Sequence, residues 1–90
     1  MIKVHFTQAL QRFYPDLQAL HLEANSLSDV LEVLDQKFPG LTSYLIDEQG
    51  ALRQHVNVFL DDRMINDRTT LTDPIENVRE LYIMQALSGG

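Results

Sequence analysis

The chain contains no cysteine. That absence excludes disulfides, thiolate zinc sites and cysteine nucleophiles together, so any reactive sulfur in its chemistry must be supplied by another molecule. Basic residues are few: seven Lys and Arg stand against 13 Asp and Glu, a formal net charge of −6, with no Lys/Arg cluster. Nucleic acid and anionic membrane surfaces repel such a chain, whereas basic protein surfaces attract it. No apolar run approaches the ~18 residues of a membrane helix. The N-terminus also lacks the basic, apolar, small-residue succession of a secretory signal, so the expected location is the cytoplasm. No segment repeats or is of low complexity. Glycine is scarce as well, at four residues, and two of them are Gly89 and Gly90.

What is present is enough for one domain. Ninety residues, 44% apolar, support a single core, but a chain this small buries only ~60–65% of its unfolded surface, which leaves little room for a deep enclosed site. Ile2, Val4 and Phe6 alternate with Lys3 and His5, the period of a half-buried strand. Residues 7–16 contain Pro15 and read as a loop, and Leu20 and Leu22 around His21 suggest a second short strand. Ser26 with Asp29 three residues on resembles a capping box, and Leu27, Val30, Leu31, Leu34 and Phe38 then form one helical stripe that Pro39-Gly40 ends. Residues 41–46 suggest a helical turn with Leu41 and Leu45 inward. Val56, Val58 and Leu60 form a strand, Asp61-Asp62-Arg63 turns it back toward Met64-Ile65, and residues 81–84 form the last strand.

Two hairpins around one crossover helix allow a mixed sheet with the first and last strands parallel at its centre. That is a two-layer α+β arrangement, the β-grasp. A ferredoxin-like split βαβ is the competitor, but it needs a second helix of comparable length, and residues 61–80 are too polar and aperiodic to supply one. The expected division is a β-grasp domain over residues 1–84 followed by a flexible tail at 85–90.

No catalytic set is visible. His5, His21 and His55 fall on three expected strands, none beside an obvious carboxylate pair, so exposed sheet-face histidines are favoured over a metal site. Asp61-Asp62 and Asp47-Glu48 read as turn chemistry. Ser43 and Ser88 have no partnered His/Asp arrangement, and no Gly-rich phosphate loop follows a strand.

With KFPGL at residues 37–41, HVNVFLDDR at 55–63 and LYIMQALSGG at 81–90, the chain resembles ubiquitin, and more closely the ThiS/MoaD-type sulfur carriers, over nearly its whole length. Members often carry a Gly-Asp pair before the last strand and a proline in the tail; here Asn77-Val78-Arg79-Glu80 and Gln85-Ala86-Leu87 stand instead, which implies a different turn. The resemblance implies that the chain is a co-substrate and not an enzyme. A ubiquitin-activating-type enzyme would adenylate the Gly90 carboxylate with ATP, and a persulfide donor would convert it to a thiocarboxylate. Ser88, Gly89 and Gly90 would thread the partners' active sites, glycine leaving the carboxylate unobstructed. A sulfur-accepting synthase would then take the sulfur in molybdopterin, cysteine, thiamin or other biosynthesis. The added turn at residues 46–53 disfavours the compact thiazole-type carriers. No metal or bound cofactor is expected. Two other readings stay open: a protein modifier that joins Gly90 to lysine amines, and a β-grasp interaction module whose Gly-Gly is incidental.

If Ile2, Val4, Val56, Val58, Leu81 and Ile83 face the helix, alternation sends Phe59, Tyr82 and Met84 to the outer face of the sheet. Three large side chains there suggest a partner-docking patch. The competing reading is that the loop at 7–16 or a second copy covers them.

Overall fold

In the computed structural model, which describes residues 1–85, the first alternating segment forms β1 (Ile2–Phe6) and pairs antiparallel with β2 (Leu20–Leu22). Between them, residues 7–16 depart from the expected loop: residues Gln8–Gln11 form a one-turn helix, α1. One turn is too short to show a 3.6-residue period, and what holds it is tertiary. Leu10 and Leu17 are fully buried, and Gln11 Nε2 donates to the Leu17 carbonyl at 2.9 Å.

Helix α2 (Leu27–Lys37) begins where the sequence indicates. Ser26 is extended, and its Oγ accepts from Asp29 N at 3.3 Å. The Asp29 carboxylate returns one residue earlier than in a standard capping box, to Asn25 N at 3.2 Å. Leu27, Val30, Leu31 and Leu34 are its buried stripe, while Phe38 is the C-cap and only partly buried. The chain then turns at Gly40, whose φ of +89° favours glycine. Tyr14 Oη donates to the Pro39 carbonyl at 3.1 Å, and a Cβ on Gly40 would lie 3.1 Å from that same oxygen. Gly40→Ala therefore meets backbone strain and a tight contact at once. It is expected to cost about 1–2 kcal/mol and lower the melting temperature by roughly 5–10 °C. An unchanged melting curve would contradict this reading of the turn. Helix α3 (Thr42–Leu45) follows, with Leu41 and Leu45 fully buried as expected.

The remaining strands are β3 (Val56–Leu60), β4 (Arg63–Met64) and β5 (Glu80–Gln85). Their order in the sheet is β2-β1-β5-β3-β4, with β1 and β5 parallel at the centre and β3 antiparallel to β5. This is the β-grasp. Residues 61–80 contain no helix, which removes the ferredoxin-like alternative. Ile2, Val4, Val56, Val58, Leu81 and Ile83 share one buried cluster with the α2 stripe. Gln85, expected to open the tail, closes β5 opposite Val56.

Two carboxylates shape the segment between β4 and β5. Asp73, only 6% exposed, accepts from Asn66 N at 3.0 Å and Asp67 N at 2.8 Å. Asp67 accepts from the hydroxyl and backbone N–H of Thr70, from the Thr72 hydroxyl at 2.6 Å, and from Thr69 N. These bonds, the Thr70 hydroxyl foremost, hold its carboxyl well below the usual carboxylate range. Beside them Leu71 is buried in the left-handed region (φ +59°), a conformation that an L-residue with a bulky side chain keeps only when its surroundings fix it.

Candidate functional site

Alternation along β3 and β5 decides what the outer face presents. Val56, Val58, Leu60, Leu81 and Ile83 are buried on the helix side, so Asn57, Phe59, Tyr82 and Met84 turn away from it. Register then builds a row: His5 pairs with Tyr82, Tyr82 with Phe59, and Phe59 with Met64. Four side chains thus cross β1, β5, β3 and β4. The His5 ring stacks on Tyr82 with centroids 4.5 Å apart and planes 11° from parallel. Met64 and Met84 are 46% and 42% exposed, whereas Phe59 and Tyr82 are half-buried. Burial, and then the nearby Glu80 carboxylate, raise the Tyr82 phenol above its ordinary value, so it stays a neutral hydroxyl.

Three expected site residues therefore lie on one face, Phe59 and Tyr82 as direct cross-strand partners and Met84 one step along β5. The segment at 7–16 leaves Met84 open: Gln8 and Ala9 line a shallow groove beside His5, Tyr82 and Met84, while Phe13 stacks on Tyr44 and Tyr14 meets Phe38. Ser88, Gly89 and Gly90 lie outside the described residues.

Of the three histidines, His21 is the exposed strand residue expected, whereas His5 and His55 depart from that reading. His5 does meet a carboxylate, with Nε2 donating to Glu80 Oε1 at 3.0 Å. The parallel β1–β5 pairing brings the two residues together from opposite ends of the chain. His55 lies in the turn before β3 and not on a strand, and His21 is exposed on β2. Among the described residues no group of three acids or histidines could hold a metal ion.

Where the family resemblance leads one to expect a Gly-Asp pair before the last strand, Arg79 and Glu80 are held by the carboxylate of Asp61 from another turn. Asp61 sits at φ +57° in the β3–β4 hairpin. Its Oδ1 accepts from Glu80 N at 3.0 Å and Arg79 N at 3.2 Å, while its own N–H donates to the Glu80 carbonyl at 2.8 Å. The carboxylate dismissed as turn chemistry thus fixes where β5 starts, and with it the register that stacks Tyr82 beside His5 and Phe59.

At the other end of β5 the groove holds two buried polar atoms, Thr7 Oγ1 and Gln85 Oε1, without hydrogen-bond partners among the described residues. Near that end lies Arg68, which the sequence reading did not single out. Its guanidinium donates to Asn57 Oδ1 at 2.7 Å and to the Arg53 carbonyl at 2.8 Å, and Asn57 is the register partner of Met84.

A helix on one face of a five-stranded mixed sheet, with the parallel pair at its centre, makes this a ubiquitin-like β-grasp protein. The chain belongs to the ThiS family, whose model matches residues 4–90. Solved structures agree on the fold. A chain of the BexX/CysO complex of Amycolatopsis orientalis superposes with a TM-score of 0.83 at 16% identity, each chain covered in full. CysO of Mycobacterium tuberculosis gives 0.81 at 19% identity, covering 97% of this chain and 100% of the other. SAMP1 of Haloferax volcanii gives 0.74 at 20%, covering 99% and 98%. Among curated proteins no sequence matches significantly. No helix among the described residues is long and apolar enough to cross a membrane.

Proposed function

We propose that this protein is a cytoplasmic sulfur carrier whose working atoms are those of the Gly90 carboxylate. The carboxylate attacks the α-phosphate of ATP within a ubiquitin-activating-type partner, releasing pyrophosphate and leaving an acyl-adenylate. The terminal sulfur of a persulfide donor attacks the acyl carbon and displaces AMP. A second thiol then reduces the acyl disulfide to the thiocarboxylate, which a sulfur-accepting synthase consumes. The carrier supplies a docking face and an unobstructed carboxylate, and general acid, base and metal work belongs to its partners.

The observation that carries this reading is the family match, which extends through Gly89 and Gly90 in a chain with no thiol of its own. The origin of one similar chain in a BexX/CysO complex supports the idea of a carrier acting through a protein partner. The outer face, with Phe59, Tyr82 and Met84 in adjoining positions, is the surface that the partner would grip.

The test is ATP–pyrophosphate exchange. Adenylating enzymes encoded in the same genome are incubated with the chain, labelled pyrophosphate and ATP. Exchange that depends on the chain is the expected result. Its absence with every enzyme that activates a control carrier would leave the β-grasp interaction module.

A further inference from the structure

We propose that Arg68 is the polar anchor of the outer sheet face and pairs with a carboxylate of the adenylating partner. This rests on the carrier reading above and names the chemistry of the partner's surface.

A guanidinium offers five N–H donors in a planar fork. Two hydrogen bonds hold the Arg68 fork, and both go to neutral oxygens, Asn57 Oδ1 and the Arg53 carbonyl. Among the described residues no carboxylate lies within ion-pair distance of it. The other Lys and Arg side chains are equally without an ion pair among the described residues. What sets Arg68 apart is a guanidinium held by two hydrogen bonds, one of them to Asn57 on the outer face, with donors left over beside the apolar patch.

Its backbone is fixed as well. The Arg68 carbonyl accepts from Leu52 N at 2.8 Å. The flanking segment is pinned by the Asp67 carboxylate on Thr69, Thr70 and Thr72 and by Asp73 on Asn66 and Asp67. The charge is therefore held in place before any partner arrives, which lowers the entropy lost when it binds.

Position supplies the rest. Arg68 grips Asn57, Asn57 pairs with Met84, and the next pair along is Val56 with Gln85, where β5 ends. The cation thus borders the apolar patch at the end from which the C-terminal segment continues. At the opposite end of β5 stand the carboxylates of Glu80 and Asp61. Lys3 is the register partner of Glu80 at that end. The orienting contribution of Arg68 is therefore its own fixed polar contact at one end of the patch, which fixes orientation where an apolar patch alone does not.

The test uses the full chain and the adenylating enzyme that activates it, with pyrophosphate exchange read as separate KM and kcat values for the carrier. Arg68→Gln is expected to raise KM roughly tenfold and Arg68→Glu further, with kcat unchanged. Arg68→Lys, which keeps the charge without the fork, should recover part of the loss. The exposed Arg12 serves as control, and Arg12→Gln should change nothing. Salt should raise KM more steeply for the unsubstituted chain than for Arg68→Gln. A merely structural role would show as a fall in melting temperature with no change in salt dependence, and that result overturns the proposal. So does an Arg68→Glu chain with normal KM while the unsubstituted chain is activated. Failure of the unsubstituted chain with enzymes competent on a control carrier would defeat the carrier reading, and this proposal with it.

Discussion

A chain lengthened by one residue after Gly90, or shortened by its removal, is expected to lose adenylation altogether while melting at the temperature of the unaltered protein. In the extended chain the Gly90 carbonyl is an amide, and its oxygen no longer carries the negative charge that attacks phosphorus. The new carboxylate sits one residue further on, carries a side chain beside it unless the addition is glycine, and is misplaced by about 3.5 Å in an extended strand. A displacement of that size is ruinous for a step that depends on alignment within a fraction of an ångström. The fold should be indifferent, because the buried cluster of the described residues ends at Ile83. Pyrophosphate exchange and a melting curve on the same preparations check both halves. Normal exchange by the extended chain would contradict the proposed chemistry.

The second large effect separates the two faces of β3. Val58 is 1% exposed, and Val58→Ala should leave a cavity costing about 2–3 kcal/mol, or roughly 8–20 °C in melting temperature for a domain of this size. Phe59, its neighbour, points the other way and is half-buried beside Tyr82. Phe59→Ala should destabilise less than Val58→Ala but weaken partner binding by more than about 1 kcal/mol, since large apolar side chains are where interface energy concentrates. Tyr82→Ala and Met84→Ala should behave alike. Thermal melts of the isolated domain alongside titrations against the adenylating enzyme distinguish the outcomes. If Phe59→Ala melts as low as Val58→Ala, the outer face is not a separate functional surface.

What could be read from the sequence was what repeats. The period-2 alternation at Ile2–Phe6 and Val56–Leu60 and the 3.6-residue stripe from Leu27 to Leu34 each report which face is buried, and these placed the strands, the helix and the outward Phe59, Tyr82 and Met84. Elements without a period were harder. α1 is one turn held by buried Leu10 and by Gln11 bonding across to Leu17, contacts that no local pattern encodes. The site shows the same division. Met64 opposite Phe59 follows from a two-residue hairpin at Asp61-Asp62 and was within reach of a register count. His5 on Tyr82 requires the parallel pairing of residues 75 or more positions apart, and only the assembled sheet reveals it. Arg68 sits in a polar segment whose shape depends on the side-chain bonds of Asp67 and Asp73, so its placement beside Asn57 had no signal in composition or spacing.

The central claim is that sulfur rides on Gly90, and intact-mass spectrometry tests it most directly. The full chain is incubated with ATP, its adenylating enzyme, a persulfide donor and a reducing thiol. Its mass should then rise by the difference between one sulfur and one oxygen, and fragmentation should place the change on Gly90. Finding Gly90 instead in isopeptide bonds to lysines of other proteins, with no sulfur-bearing form present, would contradict the account and make the protein a modifier.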